Sequence, residues 1–281
     1  MKTQSKTTLG LLAGAACLLS AQAFAAPIAS FDFQTSGGFY FGSVQGGGSF
    51  GTCNAGGPAT CALTLSDPDT LSSPGGFQTY NQVSWGTPHS SNTTGEQSSL
   101  AVNHQNGSIT TDGTWFTIDE FIHTNNVLNA DGGWMTSVGL YGFFELLSGE
   151  YSLGAEVPLL FEETVNATPC PPGTPGSILN PVCPDYYLTF PLTASDSFIV
   201  GDYKYNISFQ FVAGPGAVVE EIEIDGLTWT RIWTQEGNPG QSRVFTQASI
   251  TFEPIPTPGT LALFGLSLVG MGAYARRRKQ S

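Results

Sequence analysis

The sequence predicts an all-β protein, an antiparallel β-sandwich of the jelly-roll type, between an N-terminal signal peptide and a single C-terminal transmembrane helix. Three observations predict it. Apolar and polar residues alternate in short runs, which is the period of a half-buried strand. No stretch between the two ends combines a 3.6-residue period with capping residues. The 281 residues are punctuated by 35 glycines and 18 prolines, which supply turn signals throughout.

The clearest strand places Tyr203, Tyr205, Ile207, Phe209 and Phe211 on one face and Lys204, Asn206, Ser208 and Gln210 on the other. Similar alternation runs through Ile28 to Phe33, Trp115 to Ile122, Trp134 to Leu146, Leu227 to Thr234 and Val244 to Phe252. Two stacked sheets with short edge strands follow from such a pattern. A Gly/Ser/Pro-rich segment runs from the first strand to about Gly76 and reads as loop. Its Gly46-Gly47-Gly48 is followed by neither Gly-Lys-Ser/Thr nor a helix, so it reads as a surface loop and not as a phosphate cradle.

The two ends carry targeting signals. Lys2 and Lys6 precede the apolar run Leu9 to Leu19, and Ala23-Phe24-Ala25 supplies a small-x-small cleavage site, so residues 1–25 read as a signal peptide. That run of eleven residues is too short to span a bilayer. Residues 26–255 form the exported domain, and residues 256–281 form a tail whose helix covers about 260–275. Leu261 to Ala275 is uninterrupted in apolar and small residues and leads directly into Arg276, Arg277, Arg278 and Lys279. Fifteen helical residues rise about 22 Å, and flanking residues with snorkelling arginines extend the span toward the hydrocarbon thickness of roughly 30 Å. The basic cluster belongs on the cytoplasmic side, which places the domain before it outside.

Without its two ends the chain keeps Lys204, Arg231 and Arg243 against all 22 acidic residues. A field of that sign repels nucleic acid and anionic membrane surfaces, so nucleic-acid binding is excluded, and it attracts divalent cations. Loss of Cys17 with the signal peptide leaves Cys53, Cys61, Cys170 and Cys183, an even number in an oxidising compartment. Of the three pairings that four cysteines allow, Cys53 with Cys61 and Cys170 with Cys183 are favoured, because each pair brackets a Gly/Pro-rich loop.

Catalytic chemistry finds little support. His89, His104 and His123 form no spaced metal-ligand pair, and no Gly-x-Ser-x-Gly elbow occurs. The acids are numerous enough for a paired-carboxylate glycosidase, but number alone does not make a site. Glu221, Glu223 and Asp225 repeat every second residue along one strand face, a charged edge by default and a calcium candidate if a loop adds oxygens. Asp67 and Asp69 beside Pro68 are a second calcium candidate, and no other cofactor is expected. Trp229 and Trp233 share one side of a strand with Arg231 between them, which suits sugar stacking if exposed. Core packing is the expected fate of these and of Trp85, Trp115 and Trp134.

Two segments resemble a known family. Pro256-Thr257-Pro258-Gly259-Thr260-Leu261-Ala262-Leu263, followed by the apolar helix and Arg276 to Arg278, resembles the PEP-CTERM sorting signal of Gram-negative bacteria that make exopolysaccharide. Thr257 stands where that family has Glu. Ile122-His123-Thr124-Asn125, with Trp85-Gly86-Thr87-Pro88 upstream, is similar to the Thr-His-x-Asn group of PEP-CTERM proteins, with Ile122 in place of the first Thr. The resemblance implies signal peptidase and an exosortase as processing partners, passage through the inner membrane, and an extracellular β domain without assigned catalytic residues. His123 and Asn125 are expected at a strand end, holding a turn through nearby backbone, with Asn126 suited to positive φ. The expected role is structural or adhesive, at the cell surface or in an exopolysaccharide or biofilm matrix; the alternative is a secreted carbohydrate-binding module or glycan-active enzyme.

Overall fold

The computed structural model describes residues 26–40, 43–47, 63–69, 78–128, 134–164, 170, 172–176, 183–192, 195–237, 240–256 and 265–267. The chain divides into two units, residues 28–255 and the two chain ends, 1–27 with 256–281. The signal peptide, Cys53, Cys61, Pro258 and Arg276 to Arg278 lie outside the described residues. Of the expected C-terminal helix only Gly265 to Ser267 is described, as one helical turn. No helix among the described residues is long and apolar enough to cross a membrane.

The described residues of 28–255 are all-β. The strands are β1 (Ser30–Phe39), β2 (Gln45–Gly47), β3 (Leu63–Pro68), β4 (Tyr80–Trp85), β5 (Ser98–His104), β6 (Asn106–Thr110), β7 (Phe116–Asn125) and β8 (Trp134–Leu146). They continue as β9 (Ser152–Glu162), β10 (Asp185–Thr189), β11 (Ser195–Val200), β12 (Tyr203–Ala213), β13 (Ala217–Ile224), β14 (Leu227–Thr234) and β15 (Gly240–Pro254). Two separate sheets were expected from the alternation. The hydrogen bonds instead run through one 15-stranded sheet in the order β11-β12-β15-β7-β5-β4-β1-β8-β9-β10-β14-β13, with β2 on β8, β3 on β4 and β6 on β1.

Topology forces this sheet to curl. β12 is second from one end of the path and β13 is at the other, yet only Gly214-Pro215-Gly216 separates them in sequence. Four Cα steps reach at most about 14 Å, so the two ends must come within the thickness of a sheet pair. β12 and β13 are accordingly in contact, although neither bonds to the other as a ladder. At the middle of the path β1 pairs with β8 over Phe33 to Phe39 and with β4 at Phe39. Gly37 and Gly38 adopt φ of 127° and 129°, where L side chains are strained.

Their missing side chains also leave room for neighbouring strands. A Cβ on Gly37 would lie 2.0 Å from the Tyr141 carbonyl oxygen, and one on Gly38 would lie 2.3 Å from that of Tyr80. β1 therefore threads between β8 and β4 at a point where only glycine fits.

The curl buries two apolar clusters. One gathers Phe39, Trp85, Leu100, Leu140, Phe161, Tyr187, Ile232 and Val244; the other gathers Phe31, Phe33, Ile109, Phe144, Tyr205, Ile207, Phe209 and Ile250. β12 behaves as its alternation predicts, with Tyr205, Ile207 and Phe209 buried. The tryptophans do not all follow expectation. Trp85 is core, but Trp115 and Trp134 are each 40% exposed. Trp233 is buried on the outward face of β14, where its ring lies beside Tyr186 and under the Arg231 guanidinium and its Nε1–H donates to Glu220 at 2.6 Å.

The Cys170–Cys183 disulfide forms as the spacing suggested and closes the segment that enters β10. Replacing Gly37 by Ala should destabilise the protein by about 2 kcal/mol or more, through strained φ and the backbone clash. Equilibrium unfolding in urea checks this; an unchanged midpoint would contradict the close β1–β8 approach.

Candidate functional site

β7 carries the polar constellation, and a bulge sets its phase. Thr246 of β15 pairs with Asp119 while the next residue, Gln247, pairs with Thr117, so Ile118 is the extra residue. A bulge flips the alternation that follows. Phe116 before it packs against the core, and His123 and Asn125 beyond it are buried.

His123 is 2% exposed. Its ring stacks on Trp85 at 5.7 Å and meets Phe161 and Tyr187 edge-on at 5.8 and 5.3 Å. Nδ1 is 2.9 Å from the Thr234 hydroxyl of β14, and Nε2 has no hydrogen-bond partner in the protein. Burial pushes its pKa down to about 3. Such an imidazole stays neutral and is too weak a base to take a proton at neutral pH.

Two residues on, the Asn125 amide donates to Asp185 Oδ2 at 2.7 Å, and the Thr164 backbone N–H donates to Asp185 Oδ1 at 2.8 Å. These bonds join β7 to β10 and β14, which lie on the far side of the interior in the sheet path. Neither side chain bonds nearby backbone as expected: His123 and the Asn125 amide reach across the fold, while Asn125 Oδ1 accepts from Ser98 Oγ of the neighbouring β5 at 3.4 Å. The turn is held by the next residue instead. The Asn126 N–H donates to Ser98 Oγ at 3.0 Å and its side-chain amide to the Gln97 carbonyl at 2.9 Å, and its φ is not positive.

Asp185 and Glu236 are both buried, and each interacts with the other's carboxyl. Burial raises Asp185 well above the usual carboxylate range, and the charges of Glu236 and Glu163 add to the effect. Burial likewise raises Glu236. Glu163 sits at the rim as an exposed residue, yet partial burial of its carboxyl and the Glu236 charge push it up to about 7. Nothing local in the sequence marks Glu163, Asp185 or Glu236 as members of one cluster.

The calcium candidates are not drawn together. Glu223 accepts from Thr228 at 2.7 Å, Asp225 occupies a turn at φ 53°, and Asp69 accepts from the Gly37 N–H at 2.8 Å. Among the described residues no three His, Cys, Asp or Glu side chains are arranged to hold a metal ion. The remaining histidines lie apart: His89 is exposed and bonds Ser91, and His104 pairs with Asp119 at 2.8 Å.

A second feature is external. Phe190, just past β10, stacks on Trp229 of β14 with centroids 4.8 Å apart and planes at 25°. Phe190 is 46% exposed, and Leu160, Ile224 and Leu227 are exposed on the neighbouring strands. Arg231 bonds Glu220 on the same outward face. Of the two tryptophans read as a possible stacking pair, only Trp229 is thus accessible, and Phe190 is its partner.

No protein-family model and no curated protein matches this chain.

Two outcomes follow from the buried site. Asn125→Ala should cost about 2–3 kcal/mol, since it strands a buried acceptor, and His123→Ala about 2–4 kcal/mol through lost packing; chemical denaturation measures both. The second concerns pH. Each raised acid keeps in the fold a proton that the unfolded chain releases, so its stabilisation is present below the unfolded pKa and is lost as pH rises through the folded one. His123 acts oppositely and only below about pH 6.5. His104 adds to the acids: burial opposes its charge, but Asp119 outweighs this and raises its pKa. The melting temperature should therefore fall between about pH 6.5 and 8, and Glu236→Gln should reduce that slope without abolishing it. An unaltered slope would contradict the acid cluster.

Proposed function

We propose that the protein is exported through the inner membrane and acts outside the cell as a structural or adhesive component of the surface or of an exopolysaccharide matrix. Signal peptidase and an exosortase would process its ends, and the curled sheet would serve as a jelly-roll-like sandwich packed across Trp85 and Phe161. The outward face of β9, β10, β14 and β13 carries this reading. Its exposed Phe190–Trp229 pair, with Leu160 and Leu227, is an apolar patch on an otherwise acidic surface. Contiguous exposed apolar patches mark interaction surfaces. The Cys170–Cys183 disulfide fits an oxidising compartment.

The same aromatic pair favours the second reading, a carbohydrate-binding module, because a sugar's apolar face packs on a flat ring. A glycan-active enzyme has less behind it: the interacting acids Asp185 and Glu236 are buried and bonded internally.

Two experiments test the proposal. Intact-mass analysis of the protein from its host should give an extracellular species that starts near Ala26 and ends before Leu261; a species retaining Arg276 to Lys279 in the membrane would replace sorting by permanent anchoring. Joint Phe190→Ala and Trp229→Ala substitution should weaken retention on the host's exopolysaccharide by about tenfold or more, with the melting temperature little changed. Undiminished retention would remove this face from the adhesive role.

A further inference from the structure

A cleft of about 390 Å³ opens at the seam where the two ends of the strand path meet, a volume within the range of small-molecule sites. The topology leaves it there. β11 pairs with β12 only as far as Ser208, so from Phe209 onward that edge of β12 has no partner among the described strands. β13 pairs only with β14. The link Gly214 to Gly216 brings these two edges together, but they form no ladder. Phe209 to Phe211 on one and Val219 to Glu221 on the other line the gap.

The polarity of β13 reverses along its length. Val219 packs against the first core cluster, and by the two-residue period Glu221 and Glu223 follow it on that side. Ile222 and Ile224 take the outward side, opposite Trp229 and Leu227. Carboxylates therefore stand on the side where a closed sandwich places apolar residues. Glu221 is exposed and makes no hydrogen bond or ion pair among the described residues. Glu220 also lines the cleft, but Arg231 and the Trp233 Nε1–H hold its carboxylate.

The other walls add an aromatic face and a hydrogen-bonding amide. Trp115, just before β7, lines the cleft and is 40% exposed. The Gln210 amide donates to Gln247 Oε1 at 3.0 Å, which leaves its own carbonyl oxygen to accept. Polar and apolar surface both open onto the cleft, whereas an adjoining cavity of about 110 Å³ beside Gly142 and Ala155 is almost entirely apolar. No Lys or Arg lines the cleft, so an anionic ligand would meet no counter-charge and a cationic one would meet Glu221. An indole face attracts both the apolar face of a sugar ring and a nearby ammonium.

We propose that this cleft binds an amino sugar with a free, protonated amine, its ring stacked on Trp115, its ammonium at Glu221 and a hydroxyl at Gln210. The proposal goes beyond the adhesive reading and concerns a different face from the Phe190–Trp229 pair.

The test titrates the full chain by calorimetry with the trisaccharide of glucosamine, its fully N-acetylated form and the trisaccharide of galacturonate, at a mildly acidic pH that keeps the amines charged. The glucosamine trisaccharide should bind saturably, the N-acetylated form about tenfold or more weakly, and galacturonate more weakly still. Trp115→Ala and Glu221→Gln, both at exposed positions, should each lower that affinity about tenfold with the melting temperature little changed, and Phe190→Ala should leave it unaltered. The absence of saturable binding to the wild type would overturn the proposal, as would equal affinity for the N-acetylated form. Affinity lost in Phe190→Ala but kept in Trp115→Ala would move binding to the outward face and overturn it equally.

Discussion

The buried carboxyl of Asp185 organises the closed end of the fold. It sits among Asn125, Thr164 and Glu236 with no cation paired to it among the described ion pairs. A desolvated carboxyl is tolerated only if it keeps a proton or accepts hydrogen bonds; Asp185 accepts two, and burial raises its pKa well above the usual carboxylate range. Its donors come from two places: Asn125 at the end of β7 and the backbone of Thr164 after β9. Because β7 and β10 lie far apart in the sheet path, this single group ties the two halves of the curl together. The parallel contact from His123 to Thr234, two residues along β7, makes the tie double.

The tie and the seam are consequences of one geometry. Gly214 to Gly216 brings the ends of the strand path together, β1 turns through Gly37 and Gly38, and the interior between must be filled from both sides. At the Trp85 end the filling is aromatic, with His123 stacked as one more ring. Beyond it, Gly142 and Ala155 leave the layers apart, and the two core clusters part company there. Stability is thus concentrated where polar groups bridge the layers, while the space lies where side chains are small.

The alternating strands were legible because period 2 survives in a curled sheet as well as in two stacked ones; β12 is the clearest case. Alternation says nothing about whether the ladder is continuous, so one sheet could not be told from two. The local pairing of Cys170 with Cys183 was legible because loop closure is local. The His123 and Asn125 motif was visible as a motif, but its cross-layer partners Thr234 and Asp185 lie 111 and 60 residues away, and the bulge at Ile118 that turns both inward leaves no mark on the sequence. Trp233 is fully buried, as its size predicts, but its cover is Arg231 and Tyr186 on the outward face, a neighbourhood that size alone does not indicate.

The most direct test of this account is a double-mutant cycle between Asn125→Ala and Asp185→Ala, measured by equilibrium unfolding. If the cross-layer tie closes the sheet, the two residues should couple by about 1–3 kcal/mol, so that the second substitution costs much less once the first is made. Additive costs, with coupling within about 0.3 kcal/mol of zero, would mean that the curl is held by its strand connections alone and that the tie is incidental.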